Sequence, residues 1–250
     1  MKSSLNLVTG KGGVGKTRLS LLLAQANRGL QLAEISEGLM NEAKKLGVSE
    51  PSILRFSRAE LAEIFLKDQI KSKFISHLLG SSEIFQNLLQ LAPNLTELLM
   101  FANWIAESKN QQLLIDAPST GNFLAYFEAV KTARKLFSDG SLRKMADQIE
   151  GFLQSDEAPQ IILVSIPERS SLEESLQIYT RLKDIYPKIL WKHYVNRMHL
   201  APPCSPENIP AAWRAIAFDR SKNERKRLDE FKSLSLFIDQ ELPEAARTLG

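Results

Sequence analysis

Eight residues, Gly10-Lys11-Gly12-Gly13-Val14-Gly15-Lys16-Thr17, stand directly behind the apolar run Leu5-Asn6-Leu7-Val8. The glycines at 10, 12, 13 and 15 let the backbone turn tightly with no Cβ in the way. The apolar run reads as a short buried strand, and Leu19, Leu22, Leu23 and Ala26 behind the loop have helical spacing. A strand, a glycine loop and a helix in that order point to an α/β chain built on a parallel sheet.

The spacing carries chemistry as well. Gly10 and Gly15 are separated by four residues and followed by Lys16 and Thr17, the pattern of a phosphate-binding P-loop. A triphosphate needs donors packed more densely than side chains can pack, and backbone N–H groups of a glycine-rich loop supply them. The helix that starts near Gly15 adds its free N–H groups and positive dipole end. The residues expected to hold ATP or ADP are Gly12, Gly13, Val14, Gly15, Lys16, Thr17 and Arg18. Lys16 is expected on the β- and γ-phosphates and the Thr17 hydroxyl on Mg²⁺. Lys11 is an additional cation at the front of the loop.

With 250 residues, 44% of them apolar and 24% charged, the chain has the make-up of one large globular α/β domain. A formal charge of +3 argues little for a polyanionic partner. The densest basic run, Lys222, Arg225, Lys226 and Arg227, reads as a solvated helix face, with an anionic contact as the alternative. One cysteine, Cys204, excludes an intramolecular disulfide and a thiolate cage, and fits a reducing cytoplasm. Met1-Lys2-Ser3-Ser4 leads at once into an apolar run too short for a signal peptide, and no run reaches the ~20 apolar residues of a membrane span. A cytoplasmic location is the expectation.

Further strands are expected over Leu30 to Ile35, Ser52 to Arg55, Gln111 to Ile115, Ile161 to Ile166, Ile189 to Val195 and Ala215 to Phe218. Helical, apolar patterning runs from Ala59 to about Ser108, divided by Pro93. It returns from Phe123 to Leu153 with a break at Asp139-Gly140, again from Ser171 to Lys183, and near the C-terminus. Prolines 202, 203, 206 and 210 mark a loop. Met100, Phe101, Trp104 and Ile105 form a stripe that reads as helix core, with a groove for a protein client as the alternative. Together these give a mostly parallel sheet flanked by helices in a single domain, 1–250.

Asp116 closes a buried strand and opens Asp116-Ala117-Pro118-Ser119-Thr120-Gly121. Ligands of open α/β sheets sit at the carboxyl ends of strands, so Asp116 is expected to meet the glycine loop and hold a Mg²⁺-bound water. A helix-capping turn is the plainer alternative. Ser171-x-x-Glu174 reads as a capping box. Asn196, at a strand end, is a candidate to read an adenine edge, with a strand-terminating Asn as the plainer alternative. His77, His193 and His199 show no metal-ligand spacing.

Lys11-Gly12-Gly13-Val14-Gly15-Lys16-Thr17 resembles the deviant Walker A of the class that holds partitioning, division-site, nitrogenase-iron-protein and anion-pump ATPases. Asp116-Ala117-Pro118-Ser119-Thr120-Gly121-Asn122 is similar to the switch II of the arsenite-pump and tail-anchored-protein-targeting ATPase family. Softer similarities follow at Leu91-Ala92-Pro93-Asn94-Leu95-Thr96-Glu97-Leu98-Leu99, at Ile166-Pro167-Glu168 with Glu174, at Val195-Asn196-Arg197 and at Leu242-Pro243-Glu244, the last as in short bacterial members. The resemblance implies a P-loop NTPase fold with a small helical insertion, roughly 59–108 and 123–153. It also implies a nucleotide-sandwich homodimer in which Lys11 reaches the partner's phosphates, and it sets Asn196 beside the adenine.

The departures from the family pattern bear on catalysis. Ser36 stands where the family carries the switch I Asp that polarises the attacking water, and Glu37 is the candidate to take its place. Asn122 replaces the switch II histidine, and Arg18 the second Thr. The family's metal-binding cysteines have no counterpart. The expectation is a Mg-ATP-binding dimer, slow or partner-stimulated in hydrolysis, whose nucleotide state controls a protein client. A nucleotide-gated binding module without hydrolysis is the alternative. A partitioning or positioning ATPase ranks last, since nucleic acid is not expected as a partner and membrane contact is at most peripheral.

Overall fold

The computed structural model describes residues 3–35, 38–48, 52–55, 61, 94–197, 220–234 and 240–241. Several sequence expectations lie outside them: Ser36 and Glu37, most of the helical stretch before Asn94, the prolines of the loop with Cys204, the strand at 215–218, Leu242-Pro243-Glu244, His77 and His199.

Seven parallel strands form one sheet in the order β3-β2-β4-β1-β5-β6-β7. They are β1 (Leu5–Gly10), β2 (Leu30–Glu34), β3 (Ile53–Leu54), β4 (Gln112–Ser119), β5 (Gln160–Ser165), β6 (Leu190–Val195) and β7 (Gln240–Glu241). The helices are α1 (Lys16–Ala26), α2 (Leu39–Lys45), α3 (Leu95–Ser108), α4 (Thr120–Leu136), α5 (Gly140–Leu153), α6 (Arg169–Lys183) and α7 (Arg220–Leu234). β1 lies between β4 and β5, which are the strands that follow much later in the chain. The glycine loop therefore leaves the sheet at its centre, where the chain turns to opposite sides before and after it.

Alternation along the strands sorts the core onto two faces. Leu5, Leu7, Leu113, Ile115, Ile161 and Leu163 point to the side covered by α3, α4, α5 and part of α6. Val8, Leu114, Ile162 and Val164 point to the side covered by α1 and α2. Both faces are dry, which is why these strands read as continuous apolar runs. Met100, Phe101, Trp104 and Ile105 are all buried in the first cluster, so the stripe is core and not a client groove. Trp104 stacks on Tyr126 at 4.8 Å, and Phe101 meets Phe127 edge-on at 5.4 Å. The stretch 123–153 packs through α4 and α5 onto this same cluster.

α7 buries Ser221, Glu224 and Leu228, spaced as one helical face, and Leu228 meets Leu172 and Val195. Its basic residues face outward: Arg227 donates to the Pro167 carbonyl, and Lys226 lies 4.0 Å from Glu230. The solvated-face reading of this run matches its geometry. No helix among the described residues is long and apolar enough to cross a membrane.

Three boundaries differ from the sequence reading. β4 does not stop at Asp116 but runs on through Pro118 to Ser119, and α4 begins directly at Thr120. A register shift between Val8 and Gly10 lets Gly10 pair with Ser119, and the Thr9 hydroxyl donates to the Pro118 carbonyl at 2.8 Å. α6 starts at Arg169, so Ser171 lies inside the helix rather than at its cap. α2 and β7 carried no sequence expectation; α2 is a seven-residue helix, too short for a periodic signal.

Candidate functional site

Gly10 ends β1 with φ 156, and a Cβ there would run into the Val164 carbonyl of β5. Gly15 takes φ 95 immediately before α1, and a Cβ there would strike the Asn196 amide. Both turns belong to glycine alone. Between them Val14 is fully buried against the second core cluster and pins the loop by its side chain. Around Gly12 and Gly13 the space is open: no atom lies within 4 Å of a Cβ built on either. Packing demands glycine at neither position, but Gly13 takes φ 78, a left-handed conformation that favours glycine.

No side chain caps the start of α1, and no acidic residue occupies its first turn. The first turn instead aims its functional groups at β4. The Thr17 hydroxyl donates to Asp116 Oδ2 at 2.8 Å, and the Ser20 hydroxyl to Asp116 Oδ1 at 3.3 Å. Asp116, only 4% exposed, is thus held by two hydroxyls from successive turns of one helix. Lys16 curls back so that its ammonium donates to the Lys11 carbonyl at 3.0 Å. Burial pushes the Lys16 amine below its ordinary value, against the pull of Asp116. Burial likewise pushes the Asp116 carboxyl up, opposed by Thr17, Lys16 and Ser20 and reinforced by Glu34. A dry pocket holding one cation and one anion is a place where further charge of either sign is strongly felt.

Lys11 does not point away from its own chain. Its ammonium lies 3.2 Å from Glu174 Oε1 and donates to the Ser170 hydroxyl at 3.0 Å. The other Glu174 oxygen accepts the Thr120 hydroxyl at 2.8 Å. One carboxylate of α6 therefore joins the front of the glycine loop to the first residue of α4. This overturns the capping-box reading: Ser171 accepts the Ile166 amide at 3.2 Å, while Glu174 reaches the loop.

Glu34 is a residue that sequence reasoning passed over. It ends β2 in register with Asp116 and is buried. One oxygen accepts the amides of Gly38 and Leu39 at 3.1 and 2.9 Å, and the other takes Arg55. Its carboxylate ties the end of β2 to the start of α2; Ser36 and Glu37 lie outside the described residues. Ser20 was also missed, although its position three residues after Thr17 puts it on the same helix face.

Asn196 follows β6, and its side chain donates to the Val14 carbonyl at 2.9 Å. Its Oδ1 accepts the Arg197 amide at 2.8 Å. The structure thus brings together Lys11, Val14, Gly15, Lys16, Thr17, Asp116 and Asn196 at the carboxyl ends of β1, β4 and β6. Arg18 lies in the first turn of α1, and among the described residues no side-chain hydrogen bond or ion pair joins it to this group. His193 lies elsewhere, buried between strands on the Ser165 hydroxyl. Among the described residues no three His, Cys, Asp or Glu side chains gather as a metal cage. No protein-family model matches the chain. No curated protein matches it in sequence.

Proposed function

We propose that this chain is a P-loop NTPase that binds Mg-ATP between the glycine loop and Asp116, in the manner of the arsenite-pump and tail-anchored-protein-targeting ATPases it resembles. The observation that carries the reading is the Thr17–Asp116 hydrogen bond beside an uncapped helix start. A hydroxyl and a carboxylate are the hard oxygen donors that suit Mg²⁺, which keeps its remaining positions for water and phosphate. Lys16 Nζ and the open space over Gly12 and Gly13 fit a polyphosphate lying along the loop. Held there, Mg²⁺ would supply neutralisation of phosphate charge.

The protein's own groups then have defined tasks. Loop amides and Lys16 hold the phosphates, and Thr17 and Asp116 orient the metal shell. Thr120, the first residue of α4, is proposed to pass a γ-phosphate contact on to that helix. In a sandwich homodimer Lys11 leaves Glu174 and neutralises charge on the partner's nucleotide. Glu37 is proposed as the residue that orients water.

Phosphate release, measured at high protein concentration for wild type and Lys11→Ala, tests the enzymatic part. A fall of at least tenfold in the variant is the expected result; undiminished turnover would remove the trans-lysine role. A nucleotide-gated binding module without hydrolysis is the second reading. It is favoured by Glu34, the carboxylate beside Asp116 in the sheet, being committed to Gly38, Leu39 and Arg55.

A further inference from the structure

The Asn196 side chain is engaged at both ends by protein. Its amide nitrogen donates to Val14, and its oxygen accepts the Arg197 amide from a residue held at φ 56. Its own backbone N–H extends the ladder to the Ser165 carbonyl at 2.7 Å, so the side chain is presented from a fixed strand end. Val14 is the residue at which the glycine loop is anchored: its side chain is fully buried, and its carbonyl is the atom Asn196 holds. Gly15, next in the chain, is left-handed, and a Cβ there would meet this same amide.

From this geometry we infer that Asn196 is a positioning residue for the phosphate loop, fixing the Val14 carbonyl and the left-handed turn at Gly15. The inference rests on the nucleotide reading above for its ligand, and on the Asn196–Val14 contact for its mechanism. A carbonyl held from outside the loop keeps the following amides aimed toward the phosphates before any ligand arrives, which reduces the ordering cost of binding. A primary amide has two N–H groups and one oxygen. One N–H on Val14 and one lone pair of the oxygen on Arg197 fix the orientation of the amide plane against the loop.

The test compares Mg-tripolyphosphate, Mg-ATP and Mg-GTP binding to wild type and Asn196→Ala by calorimetry. The expected result is a parallel loss of about fivefold to tenfold for all three, the size of one lost hydrogen bond. A loss confined to ATP, with tripolyphosphate unchanged, would overturn the inference. Amide exchange of the 10–19 segment in ligand-free protein gives a readout independent of any nucleotide. It is expected to quicken in Asn196→Ala, and also in Asn196→Asp, which keeps the acceptor for Arg197 but loses the donor to Val14. Unchanged exchange in both variants would overturn the brace. If wild type binds none of the three ligands, the nucleotide reading fails, and the exchange result alone decides the Asn196 role.

Discussion

Asp116 is the residue in which function and stability pull against each other. Burial raises its carboxyl above the ordinary range, so the folded chain binds that proton more tightly than the unfolded chain does. A raised carboxyl pKa favours folding at low pH and loses that advantage as pH rises through the folded value. At neutral pH the ionised Asp116 therefore costs stability. Asp116→Asn is expected to remove this pH dependence, so that the melting temperature of the ligand-free protein falls less than in wild type as pH rises above the ordinary carboxylate range. The same variant is expected to lose on the order of tenfold or more in Mg-ATP affinity. Differential scanning calorimetry beside titration calorimetry checks both halves. His193 has the opposite sign. Burial lowers its pKa to about 4, so its contribution is complete above the unfolded value and is lost as pH falls from about 6.5 toward 4. Urea unfolding at pH 7 and pH 5 is expected to show a loss of about 2 kcal/mol, absent in His193→Gln.

At the scale of elements, the coupling runs through α6. Glu174 holds Lys11 on one oxygen and Thr120 on the other, so the loop, α4 and α6 meet on one carboxylate. Both ionic partners are about a third exposed, which keeps the contact weak enough to exchange for a stronger one. Glu174→Gln is expected to release Lys11 and shift ATP-dependent dimerisation to lower protein concentration, measured by sedimentation velocity. An unchanged or weakened dimer would argue against the contact restraining Lys11. The sequence made the strand centres legible because both sheet faces are dry, as at Ile161-Ile162-Leu163-Val164. Strand ends were less legible because tertiary pairing sets them. β4 outruns Asp116 only because Gly10 and Thr9 pair with its last residues. Ser171 and Glu174 fit a capping box locally, and the outcome was decided by Lys11, far away in sequence. Glu34 was hidden for the same reason: its partners Gly38, Leu39 and Arg55 carry no local pattern.

For the molecule as a whole, a seven-strand parallel sheet places every proposed contact at one edge, the carboxyl ends of the strands around β1. The aromatic cluster beneath it, with Trp104 on Tyr126 and Phe101 on Phe127, is the rigid support. Trp104→Ala is expected to cost about 3–5 kcal/mol of stability, seen as a lower midpoint in denaturant with little change in slope. The glycine loop, an uncapped helix start, a buried Asp116 and a lysine at each end of the loop are the features on which the proposed Mg-bound triphosphate rests. Titration calorimetry of Mg-ATP into wild type and Lys16→Ala tests that claim most directly. Saturable binding with one nucleotide per chain, lost in Lys16→Ala, is expected; no binding by wild type, or equal binding by the variant, would refute a phosphate site at this loop.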